Sequence, residues 1–232
     1  MGHLHRLIAF DLDGTLVDSR RDLAESANRL VVELGGTPLT EEAIGRMVGE
    51  GAALLVKRTL AAAGLGEVPG ALPRFLEIYD TRLLNHTRVY PGVREAVSAA
   101  RRGARVTVLT NKPQRPTERI LEALGLRDLF DEVVGGDGLH PRKPDPAALL
   151  AMMASAGARA EHTLLVGDSA IDHETARRAS TRCCIVSYGF GYQHVLREQL
   201  RGHDWLVHDA VALADVIETF VAARAEEPDT RR

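Results

Sequence analysis

Short, uninterrupted apolar runs recur along the chain at Leu7 to Phe10, Val106 to Leu109, Val133-Val134, Leu164 to Val166, Cys183 to Val186 and Leu206-Val207. A strand covered on both faces needs such a run, because successive side chains point to opposite sides and both sides meet a core. Between the runs the period changes to that of a helix. Val93, Ala96, Val97 and Ala100 share one face, as do Ile120, Leu121 and Leu124, with Gly125 as the stop. Regular alternation of strand and helix after residue 90 predicts an α/β fold: a doubly wound, Rossmann-like parallel sheet with helices on its faces.

The stretch from Asp18 to His86 breaks this alternation, since it holds several helical patterns and no convincing strand. It is too long for one crossover helix. Ser19-Arg20-Arg21-Asp22 has the form of an N-terminal capping arrangement, and Leu23, Ala27, Leu30, Val31 and Leu34 follow as one apolar face ahead of Gly35-Gly36. Thr40 caps a second helix before Glu41-Glu42, which Gly49-Glu50-Gly51 interrupts, and Ala52 to Ala63 and Leu72 to Leu84 supply two more. The expected organisation is an α/β core of residues 1–17 and 87–232 with a helical domain, residues 18–86, inserted into it.

Composition narrows the classes. The chain of 232 residues is 45% hydrophobic, enough for a buried core and against global disorder. Lys and Arg number 29 against 32 Asp and Glu, a net charge of −3, which argues against the broad positive field that nucleic acid attracts. No apolar run approaches the ~18 residues of a membrane span, so no membrane partner and a cytoplasmic location are expected. Cys183 and Cys184 are adjacent, a geometry that rarely forms a disulfide, and read as core thiols. The polar end, residues 225–232, reads as a frayed tail.

Candidate chemistry gathers at strand ends. Phe10-Asp11-Leu12-Asp13-Gly14-Thr15 follows the first strand, and residues two apart in extended chain face the same way, so Asp11 and Asp13 can share a site. The next strand ends in Thr110-Asn111-Lys112, which offers a hydroxyl, an amide and backbone N–H groups suited to phosphate oxygens, although a helix cap would use the same residues. Gly167-Asp168-Ser169 with Asp172 sits at another strand end, again readable as a cap, and Lys143 lies between Arg142 and two prolines. Parallel topology brings such ends to one edge of the sheet. There four carboxylates, those of Asp11, Asp13, Asp168 and Asp172, would face one recruited lysine, Lys143. Crowding of this kind raises pKa values or demands a cation, and an oxygen-only donor set suits Mg2+. The histidines show no spacing that requires a metal.

These motifs, in this order and across nearly the whole chain, resemble the haloacid dehalogenase-like superfamily, in its branch of Mg2+-dependent phosphatases that use an aspartate nucleophile. The helical insert stands where that family has its cap. Val48-Gly49-Glu50-Gly51-Ala52 with Tyr90-Pro91-Gly92-Val93 is similar to bacterial phosphoglycolate phosphatases. The resemblance implies hydrolysis of a small phosphate ester, 2-phosphoglycolate foremost, with Asp11 as nucleophile, Asp13 as acid and base, and Lys143 neutralising charge. It further implies Mg2+ on the carboxylates of Asp11 and Asp168 and the backbone carbonyl of Asp13, with Asp172 supporting the metal waters or Lys143. Thr110 and the Asn111 backbone would bind phosphoryl oxygens, and Gly49, Glu50 and Gly51 would form the cap loop that meets substrate. Phosphosugar mutase activity, which shares the aspartyl-phosphate chemistry, and phosphate binding without turnover are the alternatives.

Overall fold

The computed structural model describes residues 5–195 and 197–223. The tail expected at residues 225–232 lies outside the described residues. The chain opens with β1 (Leu7–Phe10) and β2 (Val17–Asp18), followed by α1 (Arg20–Glu33), α2 (Glu41–Gly45), α3 (Ala52–Ala62) and α4 (Ala71–Arg82). It continues through β3 (Arg88–Val89), α5 (Val93–Ala100), β4 (Arg105–Leu109), α6 (Gln114–Ala123), β5 (Glu132–Val134) and α7 (Ala147–Ala156). The remaining elements are β6 (Thr163–Gly167), α8 (Ala170–Arg178), β7 (Arg182–Val186), β8 (Trp205–Val207) and α9 (Ala210–Ala222). Among the described residues no helix is long and apolar enough to cross a membrane.

Six strands form one parallel sheet in the order β5-β4-β1-β6-β7-β8. Alternation along each strand splits its side chains between two cores. Ile8, Phe10, Val106, Val108, Leu164 and Val166 join α5 and α9 in one cluster, while Leu7, Ala9, Leu109, Leu165 and Ile185 join α7 in the other. Adjacent Cys183 and Cys184 are sent to opposite faces by the same rule and are free, buried thiols. Burial pushes both thiols well above the ordinary range, so neither is a reactive thiolate. β1 lies at the centre, with the chain running outward through β4 and β5 on one side and through β6, β7 and β8 on the other. The carboxyl ends of β1, β4 and β6 therefore meet where the connections diverge, the crevice that open α/β sheets use for ligands.

The helices between β1 and β4 are anchored at their base by a two-stranded antiparallel ribbon, with Val17 paired to Val89 and Asp18 to Arg88. On α1 the apolar face is Leu23, Ala27, Leu30 and Val31, all buried. Thr40 caps α2, accepting from Ala43 N–H at 3.1 Å. Two local expectations are corrected. Ser19 and Asp22 form no capping box: Asp22 is fully buried and accepts from His86 N–H, Thr87 N–H and the Thr87 hydroxyl at 2.8–3.0 Å, pinning the exit of the insert to its entry. The Thr87 backbone donor, 65 residues away, outcompetes those of the adjacent helix start because it is buried and has to be satisfied. The second helix also ends at Gly45, before Gly49-Glu50-Gly51, because Met47 and Val48 N–H bond to Ile44 and Gly45 carbonyls in tighter turns.

Candidate active site

Asp11 stands one residue past β1, its N–H continuing the ladder to Val166 O at 2.9 Å. Lys143 reaches it from the loop before α7, with Nζ 2.8 Å from Asp11 Oδ1 and 2.5 Å from Asp172 Oδ1. The lysine and both aspartates are nearly inaccessible to solvent. Asp172 combines two functions. Its other oxygen accepts from Ser169 N–H at 3.1 Å and Ser169 Oγ at 2.6 Å, closing the capping box of α8. The helix-cap reading of Ser169 and Asp172 is thus correct, and the same carboxylate also holds Lys143. Burial alone would favour neutral Lys143, but Asp11 and Asp172 more than offset it and raise its pKa.

Asp168, at the end of β6, completes a cluster with Asp11 and Asp172 in which one carboxylate oxygen from each lies within 4.8 Å of the others. Burial, reinforced by Asp172 and Asp11, pushes the Asp168 carboxyl well above its ordinary range, against the opposing Gly191 N–H and Lys143. Asp11 is likewise pushed up to about 6, by burial first and by Asp172 and Asp13, with Lys143 opposing. Three buried acids around one lysine make a site short of positive charge, with oxygen donors only. That donor set fits a hard divalent cation. The packing around Asp168 is close: a Cβ at Gly14, where φ is +87°, would fall 2.0 Å from Asp168 Oδ2, and one at Gly189 would fall 2.4 Å from the same oxygen. Gly191 N–H donates to that oxygen at 2.7 Å. The loop after β7 therefore belongs to the site, a contribution the sequence reading missed although Gly189-Phe190-Gly191 follows a strand end.

Asp13 faces a different partner. Lys112 Nζ lies 3.1 and 3.0 Å from its two oxygens and donates to Tyr79 Oη at 2.7 Å. Ser19 Oγ donates to Asp13 Oδ1 at 2.5 Å. Lys112 also sits over the Tyr79 ring, 4.6 Å from its centroid, and Tyr79 stacks on Phe75 of α4. Burial works against the charged lysine, yet Asp13 and Tyr79 outweigh it and its pKa is raised; burial likewise pushes the Tyr79 hydroxyl up to about 12. The expectation of a single recruited lysine is corrected here. Lys112 was visible beside Asn111, but a lysine next to proline at a strand end carries no local mark of burial. Tyr79 was hidden in an apolar helical stripe, where its hydroxyl was the one available signal.

Thr110 and Asn111 are buried at the end of β4 and do not cap α6, whose first residue is Gln114 with Pro113 before it. The Asn111 side chain donates to Lys143 O and to Gly49 O, both at 2.9 Å, tying the insert loop to the strand ends. A cleft opens there, lined by Asp11, Asp13, Gly49, Gly51, Asn111 and Lys112, with an apolar wall that includes Leu23, Leu55 and Phe75. Gly49 and Gly51 thus reach the site. Glu50 does not line the cleft and is paired with Arg58 of α3. Arg46 and Lys57 pair with Glu42 and Glu67 on solvated surfaces.

Residues 8–186, well over half of the chain, match the haloacid dehalogenase-like hydrolase family. The protein belongs to that family and is an enzyme of the hydrolase class, built on its Rossmann-like sheet. Its relatives are more specific. Phosphoglycolate phosphatase of Rhodospirillum rubrum is 45% identical over 199 residues, spanning 82% of this chain and 83% of its own length. The enzyme of the same name from Cereibacter sphaeroides is 39% identical over 222 residues, spanning 93% and 99%. In three dimensions, the crystal structure of a predicted phosphoglycolate phosphatase from Haemophilus somnus superposes with a TM-score of 0.83 at 31% identity, over 92% of this chain and 97% of that one.

Proposed function

We propose that the protein is a Mg2+-dependent phosphatase that hydrolyses a small phosphomonoester, 2-phosphoglycolate foremost, through an aspartyl-phosphate on Asp11. The observation that carries this reading is the buried Asp11 carboxylate, 2.8 Å from Lys143, in a cleft that it shares with the second carboxylate of Asp13. The curated relatives named for phosphoglycolate supply the substrate.

In this mechanism Asp11 attacks phosphorus, the ester P–O bond breaks, and the departing alkoxide oxygen takes a proton from Asp13. Asp13 then removes a proton from water, which attacks phosphorus, breaks the bond to Asp11 and leaves as inorganic phosphate. Thr110 and the Asn111 backbone orient the phosphoryl oxygens, and Lys143 offsets charge on the nucleophile and the dianion. The carboxylates of Asp11 and Asp168 and the backbone carbonyl of Asp13 would hold Mg2+, while Asp172 fixes Lys143. When bound, the ion supplies positive charge against the phosphoryl group and its developing negative oxygens. Residues 18–86 act as a cap on a core of residues 1–17 and 87–232; the bond from Asn111 to Gly49 O and the contact of Tyr79 with Lys112 support their closing over the strand ends.

Phosphate release from a panel of phosphate esters with Mg2+ tests the reading. Activity is expected to vanish on chelation and return with Mg2+, and Asp11→Asn is expected to lower kcat by about a thousandfold or more. Full activity in that variant would overturn the mechanism, and isomerisation of a sugar phosphate outrunning phosphate release would assign a mutase instead.

A further inference from the structure

Lys112 is the lysine that lines the cleft, and its position answers a question that the phosphate chemistry leaves open: what holds the part of the substrate that departs. Lys112 is buried, 6% exposed, and its ammonium is oriented by Tyr79 from the insert and by Asp13 from the core. We propose that Lys112 is the specificity-determining residue for a carboxylate on the leaving group, with Tyr79 as its positioning residue. This rests on the phosphatase reading above and deepens it.

Asp13 must come within hydrogen-bond distance of the ester oxygen to protonate it, and Lys112 Nζ lies 3.0 Å from Asp13 Oδ2. A cation one hydrogen bond beyond the acid is close enough to the ester oxygen to meet a carboxylate separated from that oxygen by a single methylene carbon. Lys143 is held by two separate carboxylates, Asp11 and Asp172, and so belongs to the phosphoryl half of the site. Lys112 instead meets one carboxylate twice, and the bond it gives the second Asp13 oxygen is the one a substrate carboxylate would take. The wall contributed by Leu55, Phe75 and Leu76 offers no partner to a charged leaving group, which would lose its hydration there without Lys112. A neutral leaving group of the same size gains nothing from the lysine. Tyr79 joins recognition to closure, because its hydroxyl arrives on α4 and meets Nζ only while that helix packs over the strand ends.

The discriminating comparison is 2-phosphoglycolate against ethyl phosphate, similar in size and differing in the carboxylate. In Lys112→Met, kcat/KM is expected to fall for both esters, but their ratio to collapse by about 30-fold or more, chiefly through KM for 2-phosphoglycolate. Lys112→Arg should retain part of the preference, and Tyr79→Phe should lower the ratio roughly fivefold by removing one hydrogen bond to Nζ. Equal losses for the two esters would overturn the proposal, because Lys112 would then act through Asp13 alone. A second arm measures binding by calorimetry in Asp11→Asn, where turnover is not needed. Tighter binding of 2-phosphoglycolate than of ethyl phosphate, lost when Lys112→Met is added, supports the assignment; no difference before that substitution overturns it. Absence of phosphate release from every ester by the unaltered protein would refute the phosphatase reading while the binding arm still decides the role of Lys112.

Discussion

Buried carboxylates at the sheet edge give the protein a characteristic response to acid. Asp11 is raised from its ordinary value of 3.8 to about 6, so the folded chain holds that proton more tightly than the unfolded chain does. Its contribution to metal-free stability is therefore greatest below about pH 4 and is lost as the pH rises through about 6. A divalent cation binds the ionised form, and protons compete with it. The increase in Tm on adding Mg2+ is accordingly expected to grow between about pH 5 and pH 7 and to shrink on the acid side; thermal scans with and without the ion check it. At this scale Asp11, Asp13, Asp168 and Lys143 were legible because each stands just past a strand or in a stiff loop at one edge. Lys112 and Tyr79 were not. Their importance lies in a contact between residues 33 apart, and no local pattern distinguishes a buried ammonium from a solvated one.

Among the elements, the pivotal link is the base of the insert, where α1 begins and β3 follows the last helical turn. Asp22 satisfies the backbone N–H groups of His86 and Thr87 as well as the Thr87 hydroxyl, all from a fully buried position. Asp22→Ala leaves these donors unpaired and is expected to lower stability by about 3 kcal/mol, measured by urea denaturation. The first, third and fourth helices of the insert were readable to within a residue or two, whereas the second stops at Gly45, short of the Gly49-Glu50-Gly51 break. The use of Ser19 and Asp22 was misread, because an acidic residue in a first helical turn offers the same local sequence whether it turns back to its own backbone or across to another segment.

For the molecule as a whole, one hydrophobic cluster runs without a break from Phe10, Val97 and Ile217 beside the sheet to Leu23, Leu55 and Phe75 in the helical insert. A shared core couples the two parts energetically despite their separate architectures. Unfolding is expected as one transition, with Trp205 fluorescence, which reports on β8, and far-ultraviolet ellipticity, dominated by the helices, tracing the same denaturant curve. Separate midpoints would show that the insert melts on its own.

Sequence alone determined the alternation of buried strands and amphipathic helices, the long helical interruption after the first strand, and the convergence of acids on one edge. Local periodicity encodes burial, and parallel connection forces successive strand ends together. The resemblance already implied Lys143 beside Asp11 and Asp172, while only the tertiary structure decided that a second cation, Lys112, meets Asp13 at a separation of 99 residues. That pairing depends on side-chain direction and on how the insert packs over the sheet, and neither leaves a trace in the order of the residues nearby.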